Sequence, residues 1–442
     1  MMQNSSSSVH RPDSLAGAVT AFEGINNACA LINGPLGCRV YMAYIIQIQD
    51  PQATHIDTDV YVSDFYFGQP RAPATFLDEY DYVNSTEQKV KAALSQLSKW
   101  NHALVGIINS PGTSLIGDDL VNIVNKINPK FPTVSIESTA FTGTFADGFK
   151  RSTIEILKKV MKGNHRKIPK SVNLIGANIF QYNWENDLDE IKRTLNLMGI
   201  KVVSTICAGE TLGNLEQTGN AELDVVLYEE YGNSIAAFLE KEYGIPAVGI
   251  KEPAPFGLTA AENWFASIAS HFGISNQVIE QESKKIRMKC YRTLERVSQL
   301  TDGAKGKTFA VFGDSSVVAP LTIFLHRYLG IYPEIIGLRE VGPQNQALIE
   351  NYISENSLDT VCLFNPDQYE IRNNLTSRSP DLIFGSVIEE RISKILKSKQ
   401  EFIPISFPYT EKIMLSYRPL IGFNGVLTLI EDTLNSIKEI ES

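Results

Sequence analysis

One cysteine of this sequence stands at the end of a glycine-rich turn. The segment Gly34-Pro35-Leu36-Gly37-Cys38 follows an apolar run that ends at Ile32. Glycine has no Cβ, so glycines at such a turn let the backbone approach a bulky group closely. A thiolate is a nucleophile and a soft metal ligand. The turn therefore predicts that Cys38 faces a large ligand, with Gly34 and Gly37 shaping the space around it.

A second polar loop follows the apolar run LVGIIN. It reads SPGTSLIGDD over residues 110–119 and leads into a helical pattern. Free N–H groups at the start of a helix attract negative charge. Ligands of α/β proteins bind at the carboxyl ends of the strands, so we expect this loop and the Cys38 turn to meet at one sheet edge. The N–H groups around Gly112 are expected to help form the pocket.

Other familiar chemical motifs fail on spacing or context. The string GAKGKT (303–308) ends like a nucleotide-binding P-loop, but Thr301 stands where the first glycine is required. A P-loop also follows a strand, whereas this string precedes the apolar run TFAVFG. The six histidines never fall at metal-ligand spacing. The net charge of −10 excludes a general basic surface for nucleic acid or anionic membranes.

The remaining pattern predicts the fold class. Short apolar runs rich in Val and Ile alternate with amphipathic stretches, which is typical of parallel sheets covered by helices. We therefore expect an α/β protein with three Rossmann-like domains and mainly parallel sheets. The predicted strands are 102–109, 132–137, 171–179, 201–207, 224–230, 246–250, 308–313, 333–338, 360–364, 381–386 and 402–407.

Breaks in this pattern indicate three domains. The stretches KGNHRKIPKS (162–171) and DGAKGK (302–307) interrupt it. The predicted domains are 1–165, 166–303 and 304–442, with a long helix within 274–300 joining the second to the third. The tail from about residue 408 is expected to fold back on the first domain.

Helix starts follow from capping patterns. Ser85-x-x-Gln88 and Thr259-x-x-Glu262 predict capping boxes, and the second helix is expected to stop at Gly273.

Cysteine usage and hydropathy indicate the compartment. Five cysteines at positions 29, 38, 207, 290 and 362 suggest no disulfide framework, and no apolar stretch is long enough to span a membrane. A cytoplasmic location is expected. Apart from Cys38, the cysteines are interpreted as packing residues: Cys29, Cys207, Cys290 and Cys362.

The order and spacing of several segments resemble component 1 of nitrogenase and its reductase and scaffold relatives. The segments are GPLGC, SPGTSLIGDD, GETLGNLEQTGNAELDVVLYEEYGNSIAAFLEKEYGIPAVG, GKTFAVFGDSS and the C-terminal DLIFGSVIEERISKIL, FIPISFP and YRPLIGFNG. The resemblance spans nearly the whole chain. It implies an iron-sulfur cluster, 4Fe-4S or larger, held between two homologous subunits by cysteines of three loops.

Of the three cysteine positions, Cys38 alone matches. The first falls on Asp13 and the third on Ser110. A carboxylate or a deprotonated serine can bind iron, although such clusters prefer thiolate. The resemblance thus makes both residues candidate metal ligands. Asp13 is alternatively the N-cap of a helix that begins near Leu15, and Ser110 is alternatively a loop-capping residue.

The resemblance also implies a function. At the positions that hold a second, larger cluster in catalytic subunits, this chain has Tyr228 and Lys412, neither of which suits iron. The chain then corresponds to the β-type subunit of a two-component reductase. An α-type homologue would complete an α2β2 heterotetramer, and a separate ATP-hydrolysing iron-sulfur protein would supply electrons. A scaffold for metal-cofactor assembly is the alternative, and a degenerate homologue without metal is a third.

Overall fold

The computed structural model describes residues 12–40, 42, 72–137, 143–161, 163, 166–298, 303–396, 400–409, 411–412 and 414–441. The described strands pair in parallel, and helices follow most of them along the chain. This confirms the predicted α/β class. No helix of the described ranges is both long enough and apolar enough to cross a membrane.

The first unit carries a three-stranded sheet in the order β2-β3-β4. Its elements are α1 (Ser14–Glu23), β1 (Ile25–Asn26), β2 (Ala28–Asn33), α2 (Glu79–Asn84), α3 (Glu87–Leu97), β3 (Leu104–Asn109), α4 (Leu120–Ile127), β4 (Thr133–Ile136) and α5 (Phe145–Val160). Every residue of β2 and β3 is buried, as expected for strands covered on both faces.

The second unit carries a four-stranded sheet in the order β6-β5-β8-β9. Its elements are β5 (Ser171–Ile175), α6 (Trp184–Leu197), β6 (Lys201–Thr205), β7 (Glu210–Thr211), α7 (Leu212–Glu216), β8 (Leu223–Val226), α8 (Glu229–Tyr243), β9 (Ala247–Val248), α9 (Leu258–Phe272) and α10 (Gln277–Arg296). Strand β7 pairs with β1 of the first unit.

The third unit carries a five-stranded sheet in the order β12-β11-β10-β13-β14. Its elements are β10 (Thr308–Gly313), α11 (Ser315–Phe324), β11 (Tyr332–Leu338), α12 (Pro343–Glu355), β12 (Val361–Phe364), α13 (Gln368–Arg378), β13 (Leu382–Gly385), α14 (Val387–Leu396), β14 (Glu401–Pro404) and the C-terminal α15 (Gly422–Glu441).

Most predicted strands are observed, with shorter ends. The largest difference is the run 224–230, where β8 ends at Val226 and α8 begins at Glu229. Two glutamates in the first turn of α8 suit the positive end of the helix dipole, which favours helix over strand there. The apolar run that ends at Ile32 forms β2, a strand that is not among the predicted ones.

Two predicted capping boxes are wrong, because the hydroxyl groups have other partners. Helix α3 begins at Glu87 after Thr86, and the Ser85 hydroxyl accepts the Glu87 N–H at 3.1 Å. Helix α9 begins at Leu258, and the Thr259 hydroxyl lies 2.6 Å from that of Tyr328. The predicted stop of α9 at Gly273 is confirmed by a left-handed residue there.

The C-terminal helix packs on the middle unit, which corrects the expected return of the tail to the first domain. Helix α15 contacts α6, α9 and α10. The Phe423 ring stacks on Phe265 with centroids 5.5 Å apart. Just before the helix, the buried Asp187 carboxylate accepts the Leu420 N–H at 2.6 Å. Ring stacking and this buried hydrogen bond hold the tail against the middle unit.

Candidate metal site at Cys38

The two predicted loops meet at the carboxyl ends of adjacent parallel strands. Strands β2 and β3 run in register to Asn33 and Asn109, whose side chains are joined by a hydrogen bond of 2.9 Å. The Ser110 N–H donates to the Asn33 carbonyl at 2.9 Å, which fixes the second loop against the first. The sheet edge therefore brings together the two loops that the sequence predicts at one site.

Cys38 lies on a short helical segment, residues 36–40, that follows β2. Its side chain is half-buried. Burial raises the pKa of the Cys38 thiol, and the negative charge of Asp13 raises it further. A hydrogen bond with the Ser110 side chain acts in the opposite direction and lowers the thiol pKa. Cys38, Asp13 and Ser110 therefore form one cluster, although they come from three separate segments.

Asp13 is the N-cap of α1, which confirms the capping interpretation. Its Oδ1 accepts the Ala16 N–H at 3.0 Å. The Asp13 backbone also forms an antiparallel bridge with Thr144, which fixes the start of α1 beside that of α5. The carboxylate has a second oxygen, so capping and metal binding are not mutually exclusive.

Ser110 is fully buried and is held by its own loop. Its hydroxyl lies 3.1 Å from that of Thr113, and its carbonyl accepts the Thr113 hydroxyl at 2.8 Å. The Ser114 N–H donates to the same carbonyl at 3.1 Å. These contacts agree with the loop-capping alternative, and the hydroxyl nonetheless reaches the Cys38 thiol.

Two glycines of the site are required by close approach, and one borders open space. A Cβ at Gly34 would lie 2.7 Å from the Ser110 Cβ, and a Cβ at Gly112 would lie 3.0 Å from the Tyr82 ring. A Cβ at Gly37 would meet no atom within 4 Å. Tyr82, on α2, was missed by sequence reasoning because no motif marks it. Burial raises the pKa of its hydroxyl, which hydrogen-bonds to Ser110.

Exposed apolar side chains surround the Cys38 segment. Large hydrophobic residues on the short helix, on and before α2, and on the loop after β3 are between 39% and 83% exposed. We call this surface the Cys38 face, and its members are Leu36, Val40, Phe76, Tyr80, Val83 and Leu115. A hydrogen bond of 3.2 Å from the Leu77 N–H to the Gly34 carbonyl holds the start of α2 beside the turn. Contiguous apolar surface of this kind marks an interaction site.

The other four cysteines lie where packing explains them. Cys29 and Cys207 are completely buried, and Cys290 and Cys362 are half-buried against the hydrophobic core. Burial raises the pKa of Cys207 to about 12 and also raises the pKa of the Cys290 and Cys362 thiols. A raised pKa keeps these three thiols protonated at neutral pH, so their packing interpretation is supported.

The residues at the second-cluster positions do not form a metal site. Tyr228 is buried at the start of α8, and burial raises the pKa of its hydroxyl well above the usual value. Lys412 is exposed. Within the described parts of the chain, no group of three or more His, Cys, Asp or Glu side chains is placed to hold a metal ion.

The Cys38 site fits part of an iron-sulfur ligand set. It offers one soft thiolate, open space beside Gly37, and two oxygen donors, Asp13 and Ser110. One thiolate does not complete the coordination of a cubane cluster, whose irons favour sulfur ligands. The donor set therefore suits a cluster whose remaining thiolates come from another chain that covers the Cys38 face.

Fold and site together define a multidomain α/β protein with a half-buried cysteine at a sheet edge. The chain belongs to the family described as "Nitrogenase component 1 type Oxidoreductase", whose model matches residues 14–438. The solved structure of nitrogenase Cp1 at pH 6.5 has a TM-score of 0.80, covering 99% of this chain and 94% of that chain at 18% identity. At this identity the likeness shows the shared fold.

Curated relatives include light-independent protochlorophyllide reductases, matched through their B subunits. The protein of Huperzia lucidula is 28% identical over 280 residues, which are 60% of this chain and 52% of that protein. The protein of Chaetosphaeridium globosum is 25% identical over 388 residues, which are 82% of this chain and 73% of that protein. The chain thus spans about half the length of the Huperzia protein.

Proposed function

We propose that this chain is the β-type subunit of a nitrogenase-like, ATP-dependent two-component reductase. In this proposal, Cys38 is a ligand of an iron-sulfur cluster shared with a homologous α-type subunit. The observation that carries the proposal is the position of the half-buried Cys38 thiol among the exposed apolar side chains of the Cys38 face. A second subunit would exclude water from the thiol and add the missing thiolates.

Similarity to the protochlorophyllide reductases supports the same assignment. The relatives named above are the B subunits of those enzymes, and the Chaetosphaeridium protein matches 82% of this chain. A lettered subunit belongs to an enzyme with more than one kind of chain. This similarity supports the class of reductase and a partner subunit rather than one substrate.

In the complex, the cluster would accept and pass on single electrons at a potential that its surroundings set. The protein residues hold and shield that group. Gly34 allows the Ser110 loop to approach within contact distance, and Ser110 orients the Cys38 thiol through their hydrogen bond. Asp13 fixes the start of α1 and places a negative charge near the thiol, which favours a positively charged iron partner.

ATP hydrolysis is assigned to a separate partner protein. The GAKGKT string lies before β10, because the strand begins at Thr308, so it does not have the strand-to-loop order of a P-loop. Its Lys307 instead lies 3.8 Å from the Asp381 carboxylate, where it forms an ion pair within the third unit.

The test begins with the native complex purified without oxygen. Native mass spectrometry is expected to show two different homologous chains in an α2β2 assembly, and iron and sulfide analysis is expected to find cluster iron lost in Cys38→Ala. A fully metallated assembly of this chain alone would contradict the shared cluster. Unchanged iron in Cys38→Ala would contradict the assignment of the ligand.

A second measurement separates reductase from scaffold. The reductase proposal predicts turnover of a reducible substrate when the ATP-hydrolysing partner, ATP and a reductant are supplied. Transfer of a metal cluster from the complex to an acceptor protein, with no substrate turnover, would instead establish the scaffold function. The residues at the second-cluster positions, Tyr228 and Lys412, are compatible with both results because neither binds iron readily.

A further inference from the structure

A large cavity lies between the three units of the chain. Its volume is about 1590 Å³, and its walls come from the starts of α1 and α5, from the middle unit and from the third unit. It opens to the surface between α13 and α14, where Tyr369 and Ile395 are 70% and 67% exposed. The cavity exceeds the 300–1,000 Å³ common for small-molecule sites, so it has room for a sizeable organic molecule.

Two sheets direct the carboxyl ends of their strands into this cavity. In the third unit, β10 lies between β11 and β13, and the cavity is lined by Asp314 after β10 and Arg339 after β11. In the middle unit, β5 lies between β6 and β8, and the lining includes Phe180 after β5 and Tyr228 after β8. The order of strands along the chain reverses its direction at both points, and such points are where α/β proteins bind ligands.

Aromatic rings form one wall. The Phe180 ring lies 4.8 Å from Phe145 and 4.6 Å from Phe407, measured between centroids, and Tyr182 continues the same surface. Aromatic faces bind flat conjugated groups by offset stacking, and their negative quadrupole attracts cations.

The charge of the lining is strongly acidic. Seven carboxylic acids border the cavity, against two arginines: Asp13, Asp187, Asp314, Asp367, Glu340, Glu370 and Glu389, against Arg339 and Arg372. Arg339 is committed to Glu389, whose two oxygens lie 2.8 and 2.9 Å from one guanidinium nitrogen. An anionic ligand would meet repulsion here, whereas a cationic ligand would be attracted.

The inner end presents two carboxyl groups that are fixed in place. Asp314 accepts the Tyr231 hydroxyl at 2.7 Å, and Glu340 accepts the Thr144 hydroxyl at 2.7 Å. Burial raises the pKa of Glu340 to about 7, with the nearby Asp314 and Asp147 acting in the same direction. Burial also raises the pKa of Asp314. A bound cation would compensate the cost of holding negative charge at this depth.

We propose that this inter-domain cavity binds a planar, conjugated organic cation, which stacks on the aromatic wall of Phe180 and Phe407 and pairs with Glu340 and Asp314. The site goes beyond the proposed cluster function, because it needs neither a metal nor the partner's thiolates. It nevertheless adjoins that function in space, since Asp13 lines the cavity and also acts on the Cys38 thiol.

The test uses two fluorescent probes on the purified native complex. Proflavine is a planar cation, and anilinonaphthalene sulfonate is an aromatic anion of similar size. We expect one proflavine to bind per copy of this chain, and we expect the anion to bind at least tenfold more weakly. Equal binding of the two probes, or no binding of proflavine, would overturn the proposal.

Variants locate the probe. Glu340→Gln keeps an acceptor for Thr144 but removes the charge, and Asp314→Asn does the same for Tyr231, so each is expected to weaken proflavine binding about tenfold. Phe407→Leu removes a stacking ring and is expected to weaken it several-fold. Glu155→Gln, at an exposed ion pair with Lys158, is the matched control and is expected to bind as the wild type does.

Thermal unfolding of each variant separates loss of the site from loss of the fold. Proflavine affinity unchanged in both folded carboxyl variants would contradict the proposed site. Cys38→Ala is expected to keep proflavine binding while it loses iron. Failure of this proposal and failure of the cluster proposal are therefore distinguishable.

Discussion

The Asp13 carboxylate lies close enough to the Cys38 thiol to raise its pKa, while its Oδ1 accepts the Ala16 N–H at 3.0 Å. One side chain thus starts α1 and acts on the candidate metal ligand. In the absence of metal, the negative charge opposes formation of the thiolate. A positively charged iron centre would reverse that cost, because it would attract both the thiolate and the carboxylate.

The first prediction concerns which cysteines hold metal. Cys38→Ala is expected to remove the cluster iron from the native complex, because it deletes the one soft donor that the described residues place at this sheet edge. Cys290→Ala is the matched control, since that thiol is also half-buried but packs against the core. The control should keep its iron and lose on the order of 1–3 kcal/mol of unfolding free energy at most. Equal iron loss in both variants would show that the distinction is wrong.

The second prediction separates capping from ligation at Asp13. If Asp13 only caps α1, Asp13→Asn costs little, Asp13→Ala costs about 0.5–2 kcal/mol of unfolding free energy, and neither alters the EPR spectrum of the cluster. If Asp13 binds iron, Asp13→Cys should keep the cluster and shift its reduction potential. We expect the capping result, given the observed cap bond. An altered EPR spectrum in Asp13→Asn at unchanged thermal stability would contradict it.

The third prediction compares two glycines of the same turn. Gly34→Ala would place a Cβ 2.7 Å from the Ser110 side chain, so one of the two loops must move. We expect a loss of about 1–3 kcal/mol of unfolding free energy, measured by urea denaturation, together with reduced iron content. Gly37→Ala meets open space and is expected to stay within about 0.5 kcal/mol of the wild type. Equal effects of the two substitutions would contradict the close-approach argument.

The sequence predicted those parts of the site that depend on strand order. Once Cys38 and Ser110 each follow a parallel strand, their meeting at one edge is a consequence of topology. The capping role of Asp13 was also predictable, because its side chain acts within three residues of its own position.

Contacts between distant segments could not be predicted in the same way. Tyr82 reaches the site from α2, and the Thr259 hydroxyl pairs with that of Tyr328 rather than capping its own helix. The tail packs on the middle unit through pairs such as Phe423 and Phe265. Each contact depends on tertiary packing across many residues, which neither periodicity nor capping patterns encode.

The fourth prediction concerns ATP. The native complex, freed of its ATP-hydrolysing partner, is expected to show no ATPase activity above background, and Lys307→Ala should not change that. The substitution removes the ion pair with Asp381 and is expected to lower the unfolding free energy by about 1 kcal/mol or less. Strong ATPase activity that Lys307→Ala abolishes would overturn the assignment of ATP hydrolysis to a separate protein.

The last prediction concerns the pH dependence of stability at Asp224, which is buried in β8. Burial raises the pKa of its carboxyl group to about 8, although the Asn173 amide, which donates to it at 2.7 Å, and Lys167 lower it. Glu240 also acts on this group and raises its pKa. In the unfolded chain the pKa returns to about 3.9. Between these values the folded protein holds a proton that the unfolded chain has lost, so stability falls as pH rises from about 4 to about 8.

Asp224→Asn removes this dependence while it keeps an oxygen that accepts the Asn173 N–H. Calorimetry should therefore show that the variant melts at a higher temperature than the wild type at pH 8, and that this difference narrows towards pH 5. Asp359→Asn is the control, because Arg378 lowers the pKa of that exposed carboxyl group and its contribution to stability changes only in the acid range. Its melting difference should stay constant between pH 5 and pH 8. An Asp224→Asn difference that is equally constant over this range would show that the buried carboxyl group is already ionised in the folded protein.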